Sequence, residues 1–249
     1  MLRRRPWWAR SWTPRPSAAL DPRTHLVSRE EVGESIWLPM LAVIGAASLY
    51  ATLPARFITG PSAGALSVSR WIVPVLALAL LAPLALTAPK RRLVPSVATV
   101  GRRALAIALL ALVTVANAAA IILIVHLLVT GAKTHGRELL RAAIHMWCMN
   151  VLVFGLWFWQ LDRGGPAKRH TQPGKPDFLF PQETIEGLGE TWQPAFLDYL
   201  YVSFTNATAF SPTDTMPLSH WAKVLMMVQS AASLLLAVMV AARAVNILS

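Results

Sequence analysis

Apolar residues gather in five long blocks, at positions 36–53, 71–88, 104–130, 139–161 and 221–248, and polar, charged or proline-rich stretches separate them. A helix that crosses a bilayer needs roughly 20 predominantly apolar residues, so each block predicts one span. The first block follows an acidic, cap-like stretch with Glu30, Glu31, Glu34 and Ser35. The second carries Pro74 near its start and Pro83 further in, where a kink is expected. The third is the longest and follows Arg102 and Arg103, and the fourth closes on Trp157, Phe158 and Trp159. Trp37, Trp71 and Trp221 stand at the starts of blocks and, with Trp157 and Trp159, make the aromatic belt expected at membrane interfaces.

A shorter element precedes the last block. From 196 to 209 the aromatics Phe196, Tyr199, Tyr201 and Phe204 come early, while Ser203, Thr205, Asn206 and Thr208 come late. This stretch is short for a span, which predicts either a half-membrane helix shielded inside protein or an interfacial helix lying flat. Ser211-Pro212-Thr213-Asp214 then reads as a tight turn, with Pro at its second position and Asp free to bond nearby amides. The predicted fold is therefore an all-α, integral membrane helical bundle. It has about five transmembrane helices and a short re-entrant or interfacial helix before the last. Three regions follow: a basic, Trp-containing tail at 1–35, a three-helix transmembrane region at 36–136, and a C-terminal module at 137–249. Within that module lie a helix, a polar loop at 162–193, a short helix and turn at 194–217, and the closing helix at 221–248. The loop, rich in Gly and Pro, is expected to be solvent-exposed.

Composition supports the membrane assignment. The chain has 249 residues, 55% of them hydrophobic and 14% charged, with a mean hydropathy of +0.50. Soluble domains carry about 25% charged residues. The net charge of +11 does not imply nucleic acid, because no nucleic-acid motif is present and the Lys and Arg lie mainly between apolar blocks. Positive-inside sorting and anionic headgroups account for them there. A single cysteine, Cys148, excludes an intramolecular disulfide and a multi-cysteine metal site. The first 35 residues have an arginine cluster, Arg3 to Arg5, but neither the apolar core nor the small-residue site of a signal peptide. With Trp7, Trp8 and Trp12 they form either a solvated basic tail or one resting on an anionic bilayer. The Ala-, Arg- and Leu-rich, Lys-poor composition points to a high-GC bacterium, and hence to the inner membrane.

The Lys/Arg distribution also sets an orientation. Lys90, Arg91, Arg92, Arg102 and Arg103 crowd the loop at 89–103, and further arginines crowd the tail. Positive-inside sorting puts both in the cytoplasm. If all five blocks span, the loop at 162–218 is cytoplasmic too.

The order of short helix, polar turn with an acid, proline and closing helix resembles the pore region of potassium channels. Laid over that family's pattern without a gap, Asp198, Tyr201, Ser203, Thr208, Asp214 and Pro217 fall on matching positions. The filter itself departs. Where the family has Thr-Val-Gly-Tyr-Gly-Asp, this chain has Ala209, Phe210, Ser211, Pro212, Thr213 and Asp214. The resemblance is carried by about twenty residues of the C-terminal module. It implies a tetramer with the closing helix lining the axis, and in the orientation above the module is inverted relative to those channels. A potassium filter aligns backbone carbonyls along a narrow path, and glycine supplies the left-handed conformations this requires. Here Ser211 and Thr213 replace the glycines, and Pro212 restricts Ser211 to extended backbone. No glycine follows Gly189, so neither that filter nor a glycine hinge in the closing helix can form. Any ion pathway must use side chains, with Asp214 as its charge and Thr208, Ser211 and Thr213 as neutral oxygens.

Polar residues inside spans are functional suspects. Asn117 and His126 lie in the third block, His145 and Asn150 in the fourth, and Gln229 in the fifth. Hydrogen bonding between helices is the expected role. His126 and His145 sit at comparable depth in a predicted hairpin, with Cys148 nearby, but no close ligand spacing accompanies them and no metal is expected. No nucleophile elbow, Walker loop or dinucleotide glycine pattern occurs, so neither an enzyme nor a cofactor is predicted. The functional expectation is a bilayer-embedded homo-oligomer resembling an ion-channel pore module, with a small cation as its partner. The alternative is a non-conducting scaffold, accessory or sensor subunit that uses the polar loop to meet another protein.

Overall fold

The computed structural model describes residues 37–54, 58, 69–86, 97–130, 136–171, 174–189, 192–208 and 214–248, all within one compact unit, Ser35–Ser249. The basic tail lies outside the described residues. Among the described residues seven helices follow in order: α1 (Trp37–Thr52), α2 (Ser69–Leu86), α3 (Val97–Val129), α4 (Gly136–Leu161), α5 (Pro166–Thr171), α6 (Phe196–Thr208) and α7 (His220–Leu248). Short 3-10 turns occupy Asp162–Gly164 and Pro181–Thr184. The expected all-α class holds, with one two-residue strand pair among the described residues, β1 (Phe178–Leu179) antiparallel to β2 (Met216–Pro217).

The five longest helices, α1 to α4 and α7, form where the apolar blocks lie. In α1 the buried residues Pro39, Ala42, Val43, Ala46, Ala47 and Tyr50 recur every three or four positions, which makes one stripe. The helix closes on Thr52, whose hydroxyl bonds back to the Ser48 and Leu49 carbonyls. Helix α2 continues through Pro83 to Leu86. Helix α3 begins at Val97, before the expected position 104, and takes in Gly101, Arg102 and Arg103. Among the described residues three stretches are long and apolar enough to cross a membrane by length and composition: Gly101–Leu127, Arg137–Gly164 and His220–Ala241. The other two apolar helices, Trp37–Thr52 and Trp71–Ala82, are shorter. At 1.5 Å per residue, the 16 residues of α1 reach about 24 Å, against about 30 Å for a hydrocarbon core.

Helix α4 is the centre. It packs against α1, α3, α6 and α7, while α2 fills the space between α1 and α3. One apolar core joins α1 to α4 through Ala46, Leu109, Ile124, Ala142, Met146 and Met149. A second core gathers Phe154, Phe158, Phe178, Phe180, Tyr199, Val202 and Ala222. Two of its members come from the polar stretch at 162–193, and this corrects the expectation of a solvent-exposed loop. Phe178 and Phe180 are buried, with ring centroids 5.1 Å from Phe158 and 5.3 Å from Tyr199. Burying such rings drives the loop back onto the module despite its Gly and Pro content.

Candidate functional site

Helix α6 is held between the two longest elements of the C-terminal module, α4 and α7. Its start is fixed by Asp198, whose Oδ2 accepts the Ala195 amide at 2.7 Å in the manner of half a capping box. Phe196, Tyr199, Val202, Ser203 and Ala207 form its buried stripe, and Leu197, Tyr201 and Phe204 face outward. The approach to α4 is close. A Cβ on Gly155 would stand 3.2 Å from both Cα and Cδ1 of Leu200, so glycine is what lets α6 lie this near. Trp147 closes the far end, with its ring edge-on to Phe204 at 5.7 Å and its Nε1–H donating to the Ala207 carbonyl at 3.4 Å.

A polar network ties the three helices together. Asn150 Nδ2 of α4 donates to Ser233 Oγ at 2.8 Å and to the Gln229 carbonyl at 3.2 Å, both on α7. Gln229 Nε2 donates to Ser203 Oγ at 2.7 Å and to the Ser203 carbonyl at 2.8 Å, on α6. The Ser203 hydroxyl donates in turn to the Val151 carbonyl of α4 at 2.7 Å. Asn206 Nδ2 donates to Gln229 Oε1 at 2.8 Å and to the Met226 carbonyl at 3.0 Å, and Ser230 Oγ donates to Asn206 Oδ1 at 3.0 Å. Asn150, Ser203, Gln229 and Ser233 are all buried. These groups are neutral and turned onto one another, so their chemistry is adhesion between helices. Asn150 Oδ1 alone among them is buried without a hydrogen-bond partner.

Thr208 and Asp214 lie on either side of residues 209–213. Thr208 is half-buried and its hydroxyl donates to the Thr205 carbonyl at 2.8 Å. Asp214 is exposed. Ser211 and Thr213 lie outside the described residues, as do Ala209, Phe210 and Pro212. The remaining polar candidates do not join the network. Asn117 is buried on α3 with Oδ1 unpartnered. His126 is exposed, and half-buried His145 has Nδ1 2.7 Å from the Arg141 carbonyl, one turn back along α4. Among the described residues no group of three or more His, Cys, Asp or Glu side chains could hold a metal ion.

A second cluster, centred on Asp162, had no role in the sequence reading. The chain leaves α4 through Arg163, Gly164 and Gly165, with φ of 56°, 81° and 95°. A Cβ on Gly165 would stand 2.8 Å from the Gln160 carbonyl oxygen, so glycine is required there on both counts. This reversal buries the Asp162 carboxylate. Its Oδ1 accepts the amides of Asp177 and Phe178 at 2.8 and 3.4 Å, and its Oδ2 accepts the Tyr199 hydroxyl at 2.5 Å. Arg163 Nε is 3.4 Å from Oδ2, and the Arg163 guanidinium also pairs with Glu183. Glu183 accepts the Phe180 amide at 3.1 Å. Arg169, buried, lies 4.7 Å over the Tyr199 ring and donates to the Trp159 and Pro194 carbonyls at 2.6 and 3.2 Å. Burial, with the nearby Asp162 carboxylate, pushes the Tyr199 phenol well above its ordinary value, and the pull of Arg169 does not offset this. Tyr199 therefore stays protonated and serves as a donor. The local sequence signal was the Asp-Arg-Gly-Gly run at the end of an aromatic-rich helix.

Comparison with protein-family models, with curated proteins and with solved structures returned no match.

Proposed function

We propose that this chain is a multi-pass membrane protein of the cell inner membrane whose C-terminal module, α4 to α7, assembles with further copies of itself around a pathway for small cations. The observation that carries the reading is the placement of α6. It has 13 residues, about 20 Å of helix, and it sits between two long apolar helices with its polar end, Thr208, six positions before Asp214. Side chains at that turn, not backbone carbonyls, coordinate the ion, because the sequence from 209 to 213 offers no glycine. A ring of Asp214 carboxylates, one from each copy, supplies the attraction. The outward faces of α6 and α7, including Tyr201, Trp221, Met227 and Leu234, would meet neighbouring copies or lipid.

A second reading is a non-conducting accessory or sensor subunit. It is favoured by the polar network, whose amides and hydroxyls are spent on one another, and by the folded loop, which offers a built surface to another protein. Purified protein in liposomes separates the two. Under the first reading the protein runs as an oligomer in mild detergent and carries cations with little preference for potassium over sodium. Asp214→Asn then lowers the flux. A monomer without flux leaves the second reading, and steep potassium selectivity refutes the filter argument.

A further inference from the structure

We infer that buried Asp162 is a positioning residue for the Asp214 turn, acting through the β1–β2 pair. Asp162 follows α4 and Asp214 follows α6, yet the adjacent residues Asp177 and Phe178 join their networks. Asp177 donates its amide to Asp162 Oδ1 at 2.8 Å and accepts the Leu218 amide on its carbonyl at 2.8 Å. Phe178 pairs with Pro217 and Leu179 with Met216, and Met216 lies two residues beyond Asp214. The same carboxylate that holds β1 holds α6, through the Tyr199 hydroxyl. The described residues on either side of 209–213 are thus referred to one buried group. The α6 end is fixed through Tyr199, and the α7 end through β1 and β2.

The strut is stiffened on its other side. Phe178, between the two hydrogen-bonded steps, packs against Phe158 of α4 and Tyr199 of α6 at 5.1 and 6.3 Å. Arg163 reaches both Asp162 and Glu183, and Glu183 holds the amide of Phe180, one residue past β1. A two-residue strand pair has little stability of its own, so its geometry is inherited from the carboxylate beneath it. The role assigned to Asp162 rests on the pathway reading of Asp214, but the strut is measurable without any flux.

The test is amide hydrogen exchange and cation flux on the full chain with Asp162→Asn. Loss of charge-assisted hydrogen bonds should speed exchange roughly tenfold or more in both 174–180 and 214–219. Flux should fall severalfold, and this loss should vanish when Asp214→Asn is already present, as expected for one unit. Faster exchange at 174–180 with 214–219 unchanged overturns the strut. A flux loss that adds to that of Asp214→Asn overturns positioning through Asp214 and leaves only a folding role. If Asp162→Asn does not fold, exchange in the wild-type protein on mild heating decides the point. The amides of Asp177 and Leu218 should open together, and independent opening overturns the inference. Coupled exchange in a protein that carries no cation removes the pathway and keeps the strut.

Discussion

Gln229→Leu asks how much the polar network contributes to holding α6 in place. The Gln229 side chain is buried and makes three hydrogen bonds across helices, two to Ser203 and one from Asn206, at 2.7 to 2.8 Å. Leucine fills similar volume, so the cavity term is small. The partners are not left bare. Ser203 Oγ keeps its bond to the Val151 carbonyl, and Asn206 Nδ2 keeps its bond to the Met226 carbonyl. The penalty for orphaned buried groups is therefore minor, and the loss is that of the bonds themselves. At about 0.6 kcal/mol per interhelical bond within a membrane, three bonds amount to about 2 kcal/mol. Gln229→Glu should cost more, because its carboxylate cannot donate to Ser203 and a charge is left buried. The assay is reversible unfolding in mixed micelles of mild and denaturing detergent, with Ser203→Ala alone and in combination. The two substitutions should be coupled by about 1 kcal/mol. A Gln229→Leu variant as stable as wild type would refute the adhesive role. A stable variant with altered cation flux would place Gln229 on the pathway instead.

Three other outcomes are expected. Gly155→Leu should loosen α6 from α4 by about 1–3 kcal/mol, seen as a lower unfolding midpoint with Trp147 fluorescence changed. Raising the pH should weaken the fold above about pH 10, where the unfolded phenol ionises and the folded Tyr199, with its raised value, does not. Stability is whole below that range, and Tyr199→Phe should remove this alkaline loss even while lowering stability at neutral pH. The protein should stay with membranes through carbonate and high-salt washes and leave them only with detergent, and release by salt alone would contradict the spans.

Much of the helical order was legible because apolar blocks and polar breaks are local signals. The short helix before the last block was visible from its length and late hydroxyls, and α6 covers 196–208 of the expected 196–209. Helix α3 begins earlier than hydropathy indicates because Gly101, Arg102 and Arg103 are tolerated in the helix although they are not apolar. Asn150 and Gln229 stood out as polar residues in apolar runs, but their pairing depends on helix rotation and register, which a single sequence does not give. Asn117 looked equivalent on the page and joins no network. Asp162 was missed for a related reason. Its donors sit 15, 16 and 37 positions away, so the Asp-Arg-Gly-Gly run marks a chain reversal but not the partners that bury the carboxylate.

On the membrane reading proposed above, the network between α6 and α7 would also order events at the ribosome. Asn206 and Ser203 find their partners on Gln229, 23 and 26 residues later in the chain. At roughly 5–20 residues per second, one to several seconds pass between the synthesis of these two stretches. During that interval α6 has Asn206 and Ser203 but not the Gln229 side chain that accepts from the one and donates to the other, so entering hydrocarbon would be costly. On the proposed membrane reading, the nascent α6 would wait in water or at the headgroups until α7 emerges, and the two would enter together as a hairpin. A chain released before residue 220 would strand α6 outside the bilayer, where quality-control proteases can reach it.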